Sequence, residues 1–132
     1  MSNKTEIEKL IQELTIDKYS IGREILNHKE TLKKFLEFYE DNVIVIRNRE
    51  TLTSRAVLAL YLVGRMLLYV ADKIDSPDVS MDEIRVLIGE MPDSPEIVIQ
   101  DFLNSGWIIM SSPSDFRINF RKIHEIFEEF FV

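Results

Sequence analysis

The sequence predicts a mainly α-helical chain with a small β-hairpin near its C-terminal end. Three observations lead to this fold class. Apolar residues recur at helical spacing in several separate segments. Serine, threonine and proline residues stand where helices would begin, and glycines stand where they would end. Two short segments of β-forming residues, separated by a turn, lie between positions 107 and 120.

The composition is that of a globular protein. The 132 residues suffice for one hydrophobic core, and 45% of them are hydrophobic and 30% charged. Sixteen basic and 23 acidic residues give a net charge of −7, which argues against binding nucleic acid or an anionic membrane over the whole surface. Because the chain contains no cysteine, disulfides, Cys-ligated zinc, iron–sulfur clusters and thiol nucleophiles are excluded.

The most hydrophobic segment, 56–71, is predicted to be a buried helix. It carries Arg65 near its middle and is shorter than the roughly 20 residues that span a membrane. The N-terminal residues are polar and show no apolar signal segment. We therefore expect a cytoplasmic protein that does not enter a membrane.

The first 50 residues predict a helical extension. A first helix carries one apolar stripe, formed by Ile7, Leu10, Ile11 and Leu14. A second helix is expected from Ser20 to about Asp41, ended by Asn42 in a left-handed cap. Its apolar seam has the spacing of a homodimer interface and consists of Ile21, Ile25, His28, Leu32, Phe35 and Tyr39. The β-branched residues 43–46 form either a short strand or an extended linker.

A third helix is expected from Thr51 or Thr53 to about Lys73. Its interior is apolar on nearly every side, so both faces need to be covered. The N-terminal helices and a second copy of the chain are both available as cover, and the sequence leaves the choice open.

Capping patterns locate the next two helices. Ser80 and Glu83 form a capping-box pattern that opens one helix. Ser94 and Pro95 open the following helix, in the positions typical of an N-cap and a first helical residue, and Gly106 ends it.

A hairpin and a last helix complete the chain. Strands are predicted at 107–110 and 116–120, with a proline-containing turn between them. The final helix, about 121–131, carries aromatic residues to its end, which predicts that it docks against the body of the protein.

Three helices followed by a two-stranded hairpin is the order of a winged helix-turn-helix. The segment 79–120 resembles that superfamily in its helix-opening and helix-closing motifs, Ser80-Met81-Asp82-Glu83-Ile84, Ser94-Pro95-Glu96 and Asn104-Ser105-Gly106-Trp107-Ile108. The helical additions are similar to those of dimeric winged-helix regulators of the MarR-like or archaeal type. The resemblance implies an N-terminal extension (1–50), a winged-helix domain (51–120) and a C-terminal docking helix (121–132), which is short for a dimer-forming arm.

The resemblance also implies that the helix following Ser94 enters a DNA major groove. The residues expected on its outer side carry no positive charge: Asp93, Glu96, Ile97, Gln100, Asp101 and Asn104. Positions 75–106 contain eight acidic residues and a single basic one, Arg85. Phosphates repel such a surface. We therefore expect this face to bind a protein with a basic surface, or to be a solvated face without a partner.

Basic residues cluster elsewhere and support an alternative. They lie in and after the wing and before the third helix: Arg117, Arg121, Lys122, Arg47, Arg49 and Arg55. Under the resemblance, wing residues contact the DNA backbone. The sequence thus predicts a non-catalytic interaction module in a transcription-type assembly. The alternative is a dimeric DNA-binding regulator that contacts DNA through its wing.

Catalytic and cofactor motifs are not recognised in the sequence. His124 and Glu125 begin a pattern that differs from the zinc-protease helix HExxH, because Glu128 stands where the second histidine is needed. The four glycines are isolated and form no phosphate-binding loop. We expect neither enzymatic activity, nor a cofactor, nor a metal site.

Overall fold

The computed structural model describes residues 3–131, within which there are seven α-helices and five β-strands. The helices are α1 (Asn3–Leu14), α2 (Lys18–Leu26), α3 (Lys29–Phe35), α4 (Ser54–Val70), α5 (Met81–Ile88), α6 (Pro95–Asn104) and α7 (Ile123–Phe131). The strands are β1 (Leu36–Tyr39), β2 (Val43–Ile46), β3 (Val79–Ser80), β4 (Ile108–Ser112) and β5 (Asp115–Ile118). A mainly α-helical chain with a small antiparallel sheet is thus confirmed.

Helix α4 lies at the centre of the molecule. Thr53 caps its N-terminus by accepting a hydrogen bond from the backbone N–H of Ala56 at 3.1 Å. Eleven of its 17 residues are buried. The elements packed on it are α2, β2, α5, β5 and α7, and one hydrophobic core runs from Ile25 to Phe127. The apolar faces of α4 are therefore covered by the same chain.

The expected single helix from Ser20 to Asp41 is wrong. Asp17 caps α2 by accepting a hydrogen bond from the backbone N–H of Ser20 at 2.8 Å, and the helix ends at Leu26. Helix α3 follows, and then the chain becomes extended. The strands β1 and β2 form an antiparallel hairpin in which Leu36 faces Ile46. The β-branched segment is therefore a strand, and its partner is the segment predicted as the end of the helix.

Two residues of the hairpin loop have left-handed backbones. The φ angles of Asp41 and Asn42 are 62° and 60°, a conformation that asparagine and aspartate adopt more readily than other non-glycine residues. The sequence predicts the left-handed Asn42 as a helix cap, but it lies in the loop between two strands. Its side-chain amide donates a hydrogen bond to the carbonyl of Lys73 at 3.2 Å, which ties the loop to the end of α4.

The seam expected as a dimer interface is not a continuous exposed surface. Ile25 and Leu32 are buried in the core of the single chain. Ile21 and Phe35 pack against that core, while Tyr39 lies on β1 and is 59% exposed. The remaining residue, His28, stacks on Phe127 of α7 with ring centroids 4.2 Å apart. Five of the six seam residues therefore pack within the single chain, which the spacing within one helix could not reveal.

The C-terminal half follows the predicted elements closely. Ser80 and Glu83 form the capping box, Pro95 is the first residue of α6, and Gly106 has a φ of 74° after that helix ends. The strands β3, β5 and β4 form an antiparallel sheet in that order, and β3 is an addition to the predicted hairpin. Phe127 of α7 is buried, which confirms that the last helix docks. This arrangement places α5 and α6 side by side.

Candidate protein-interaction surface

The outer sides of α5 and α6 form one continuous surface, which we call the α5–α6 face. In α6 Val98, Ile99 and Phe102 are buried and Leu103 packs against the core, whereas the exposed residues are Glu96, Ile97, Gln100 and Asn104. Ile97 is 58% exposed, and the side-chain amide of Gln100 donates a hydrogen bond to Asn104 at 3.0 Å. The face thus combines an exposed apolar residue with amides that are already bonded to each other.

The outer residues of α6 carry no positive charge, but arginines from other elements reach this face. Arg55, in the first turn of α4, lies between Asp93 and Asp101. Its Nη1 is 2.6 Å from Oδ2 of Asp93, and its Nη2 bonds to Oδ2 of Asp101. The buried hydroxyl of Ser54 also donates to Asp93, at 3.1 Å. The hydrogen bond with Asp101 is the main cause that raises the pKa of Arg55.

A second arginine neutralises the remaining carboxylate of α6. Nε of Arg85 is 3.1 Å from Oε1 of Glu96, and its Nη1 is 3.0 Å from Oδ1 of Asp82. A backbone N–H at the start of α6, followed by Arg85 and Ser94, holds the pKa of Glu96 below its usual range. Three carboxylates of α6 and its preceding loop were expected to bind a protein: Asp93, Glu96 and Asp101. Each of them is therefore already paired with an arginine of this chain.

The acidic cluster is consequently weaker than the sequence suggests, though it persists. Four arginines, Arg55, Arg65, Arg85 and Arg117, form ion pairs with members of the group of eight. In the described part of the chain, Asp75 and Glu90 form no ion pair. Asp82 remains 93% exposed in its side chain despite its contact with Arg85. Eight carboxylates and four guanidinium groups still leave an excess of negative charge.

An apolar groove opens between α4 and α5. It has a volume of about 380 Å³ and is lined by Tyr61, Asp82, Glu83, Val86 and Leu87. Val86 is 87% exposed, the largest value among the exposed large hydrophobic residues of the described chain. Its position on α5 is out of phase with the buried Ile84 and Ile88. This spacing relative to Ile84 and Ile88 is the signal from which the exposure of Val86 could have been predicted.

The wall of the groove is held by hydrogen bonds to Glu83. The hydroxyl of Tyr61 donates to its Oε2 at 3.0 Å, and Nη2 of Arg65 lies 3.4 Å from its Oε1. Arg65 also donates to the carbonyl of Asp78 at 3.0 Å. Burial, followed by the charge of Glu83, raises the pKa of Tyr61. These contacts fix the acidic rim beside the apolar floor.

The six basic residues do not form one patch. Arg117 pairs with Asp78 at 2.7 Å, Arg47 pairs with Glu37 at 3.2 Å, and Arg49 donates to the carbonyl of Leu87. Burial by itself raises the pKa of Asp78, but bonds from Arg117 and other donors outweigh it and lower that pKa. Arg55 is held at the α5–α6 face. These four are thus engaged inside the molecule.

The other two basic residues lie exposed after β5. Arg121 stacks on the ring of Phe120 with its guanidinium carbon 5.4 Å from the ring centroid. Lys122 lies 3.9 Å from Oε2 of Glu125. Within residues 3–131, Arg121 forms no salt bridge. Arg121 and Lys122 are therefore the basic residues of the wing region that are most accessible to a ligand.

No family model matches the chain, and no curated protein or solved structure is significantly similar to it. Within residues 3–131, no helix is long and apolar enough to cross a membrane. The same residues contain no group of three or more histidine and acidic side chains placed to hold a metal ion. The function is therefore inferred from the geometry of the α5–α6 face and the neighbouring groove.

Proposed function

We propose that the chain is a protein-interaction module that binds a segment combining an apolar side chain with basic neighbours. The observation that carries this proposal is the groove beside Val86. An apolar side chain of the partner fills the groove, while its lysine or arginine neighbours lie against Asp82 and the rim carboxylate Glu83. Apolar cores with a polar rim are typical of interfaces between proteins.

The order of elements favours a winged-helix arrangement for this module. Helix α4, strand β3, helices α5 and α6, and the hairpin β4–β5 follow one another along the chain. Under this proposal α6 is the recognition helix. Its carboxylates and their arginine partners then contact protein, since the net negative charge of the region disfavours phosphates. The resemblance to transcription regulators makes a transcription-type assembly the proposed setting.

Three short peptides test the proposal: KKLKK, KKSKK and EELEE, titrated into ¹⁵N-labelled protein. We expect KKLKK to shift the amide resonances of Tyr61, Val86 and Leu87. KKSKK should bind about tenfold more weakly, because the buried leucine is absent. EELEE should not bind, because the rim repels it. Val86→Asp should abolish the shifts, and Val43→Asp, on the hairpin, is the matched control. Equal binding of EELEE would contradict the proposal.

DNA binding through the wing is the second candidate, favoured by the exposure of Arg121 and Lys122. Fluorescence anisotropy with a 20-base-pair duplex tests it. Replacing both residues with alanine should reduce the slope of log affinity against log salt by about two units, one for each phosphate that is no longer neutralised. Arg47→Ala should leave the slope unchanged, because that side chain is paired with Glu37. An unaltered slope in the double variant would reject this mode.

A further inference from the structure

Helix α1 presents an apolar stripe that nothing in the described chain covers. Its four apolar residues, Ile7, Leu10, Ile11 and Leu14, are 56%, 52%, 57% and 71% exposed, and no residue of α1 is buried. A helix of 12 residues is marginal in water by itself, and amphipathic helices are generally stabilised by packing of their apolar face. The stripe therefore needs a partner surface.

The outer side of α2 carries further exposed apolar residues. Tyr19 and Leu26 are seven residues apart, so they lie on one helical face, and they are 73% and 60% exposed. Ile25, about 100° away around the same helix, is buried against the body of the protein. Between the two helices, Ile16 is 37% exposed. We call these seven residues of α1, α2 and their connection the α1–α2 surface.

The exposed apolar area of these seven residues is close to the area that a dimer interface buries on each copy. Seven large side chains, each offering about 100 Å², amount to on the order of 700 Å² of apolar area. A stable interface buries about 800 Å² on each partner. Apolar area of this size, together with the flanking polar groups, is sufficient for one interface.

The charges beside the stripe favour a second copy of the chain as the occupant. The polar positions of α1 carry both signs, Lys4 and Lys9 together with Glu6, Glu8 and Glu13. A surface of mixed sign selects neither a strongly basic nor a strongly acidic partner, and it does not repel itself. We propose that two copies associate through their α1–α2 surfaces about a two-fold axis, so that each copy covers the other. This interface is separate from the α5–α6 face.

Sedimentation equilibrium tests the proposal. The protein concentration should run from 1 to 100 μM, which is ~1–100 times a dimer dissociation constant of about 1 μM. The wild-type chain should reach twice the monomer mass of 15.5 kDa. The double variant Leu10→Glu/Leu14→Glu should dissociate at least about 100-fold more readily, because it places charges in the apolar interface. Val43→Glu, at a residue that is 51% exposed and lies outside this surface, should dimerise as the wild type does.

Two outcomes would overturn the proposal. One is a wild-type chain that stays monomeric at 100 μM, a concentration ~100 times a micromolar dissociation constant. Hydrogen exchange at α1 would then show whether this helix folds back onto α2 of the same chain. The other is a double variant that dimerises like the wild type. Circular dichroism of the double variant separates a local loss of α1 from global unfolding, since the core from Ile25 to Phe127 contains no residue of α1.

Discussion

Helices α4 and α1 both carry apolar residues at helical spacing, yet their surroundings differ completely. Eleven residues of α4 are buried, and five other elements pack on it. None of the residues of α1 is buried. An apolar stripe therefore does not by itself decide burial: α4 is covered because five other elements pack on it, whereas no later segment of the described chain packs over the stripe of α1.

The largest expected effect separates these two helices with one matched pair of substitutions. Leu62→Ala removes a fully buried side chain of α4 and should reduce the free energy of unfolding by about 2–5 kcal/mol. Leu10→Ala removes a half-exposed side chain of α1 and should change it by less than about 0.5 kcal/mol. Urea denaturation measures both changes.

Both substitutions should be made in a Leu14→Glu background, so that self-association does not add to the stability of the reference protein. Equal losses from the two helices would show that α1 is packed within the single chain. That result would remove the contrast between α4 and α1.

A smaller effect is expected where α4 meets the α5–α6 face. Arg55→Gln removes the cationic partner of Asp93 and Asp101 and should lower the free energy of unfolding by about 1 kcal/mol, since partly exposed ion pairs contribute little each. The same variant should bind KKLKK more tightly, because two carboxylates lose their internal partner. Arg85→Gln, at a more exposed site, is the control for stability and should change it less. Loss of peptide binding in Arg55→Gln would mean that the arginine itself contacts the ligand.

The smallest effect concerns the contact between α7 and His28, at the junction of α2 and α3. Burial, reinforced by His124, lowers the pKa of His28 below 6.5, while Glu24 and Glu128 oppose the shift. The unfolded chain therefore binds more protons in this range, and stability should fall as the pH decreases below about 6.5. Urea denaturation at pH 7.5 and pH 5.5, roughly one unit above and below the ordinary histidine pKa, measures the change. His28→Gln should reduce this dependence, and a dependence that stays the same would assign it to other groups.

The elements that the sequence predicted well depend on short-range chemistry. The capping box of Ser80, the cap of Thr53, the proline at the start of α6 and the left-handed Gly106 each involve residues within a few positions of one another. Such interactions have the same geometry wherever they occur. Segment types and approximate ends in the C-terminal half followed from them.

The prediction of a helix at Leu36–Tyr39 was wrong for a different reason. Those residues satisfied a helical period, and no local signal opposed it. Their extended conformation depends on pairing with β2 across a left-handed loop, and on the packing of Ile44 of that strand against Gly64. A Cβ atom at Gly64 would lie 3.3 Å from the side chain of Ile44, so the glycine allows this close approach. Long-range packing therefore outweighed the local period.

By itself the sequence determined the class of fold, the N-caps of α4 and α5, the total charge of −7 and the apolar faces of α1 and α4. Only the tertiary structure decided which faces are covered and which charges are paired. Arg55 stands 38 and 46 positions from the two aspartates that it joins. Coulombic attraction depends on distance in space, and burial depends on which surfaces meet. The fold sets both, so the acidic cluster became partly neutral and Ile25 and Leu32 of the expected seam became core.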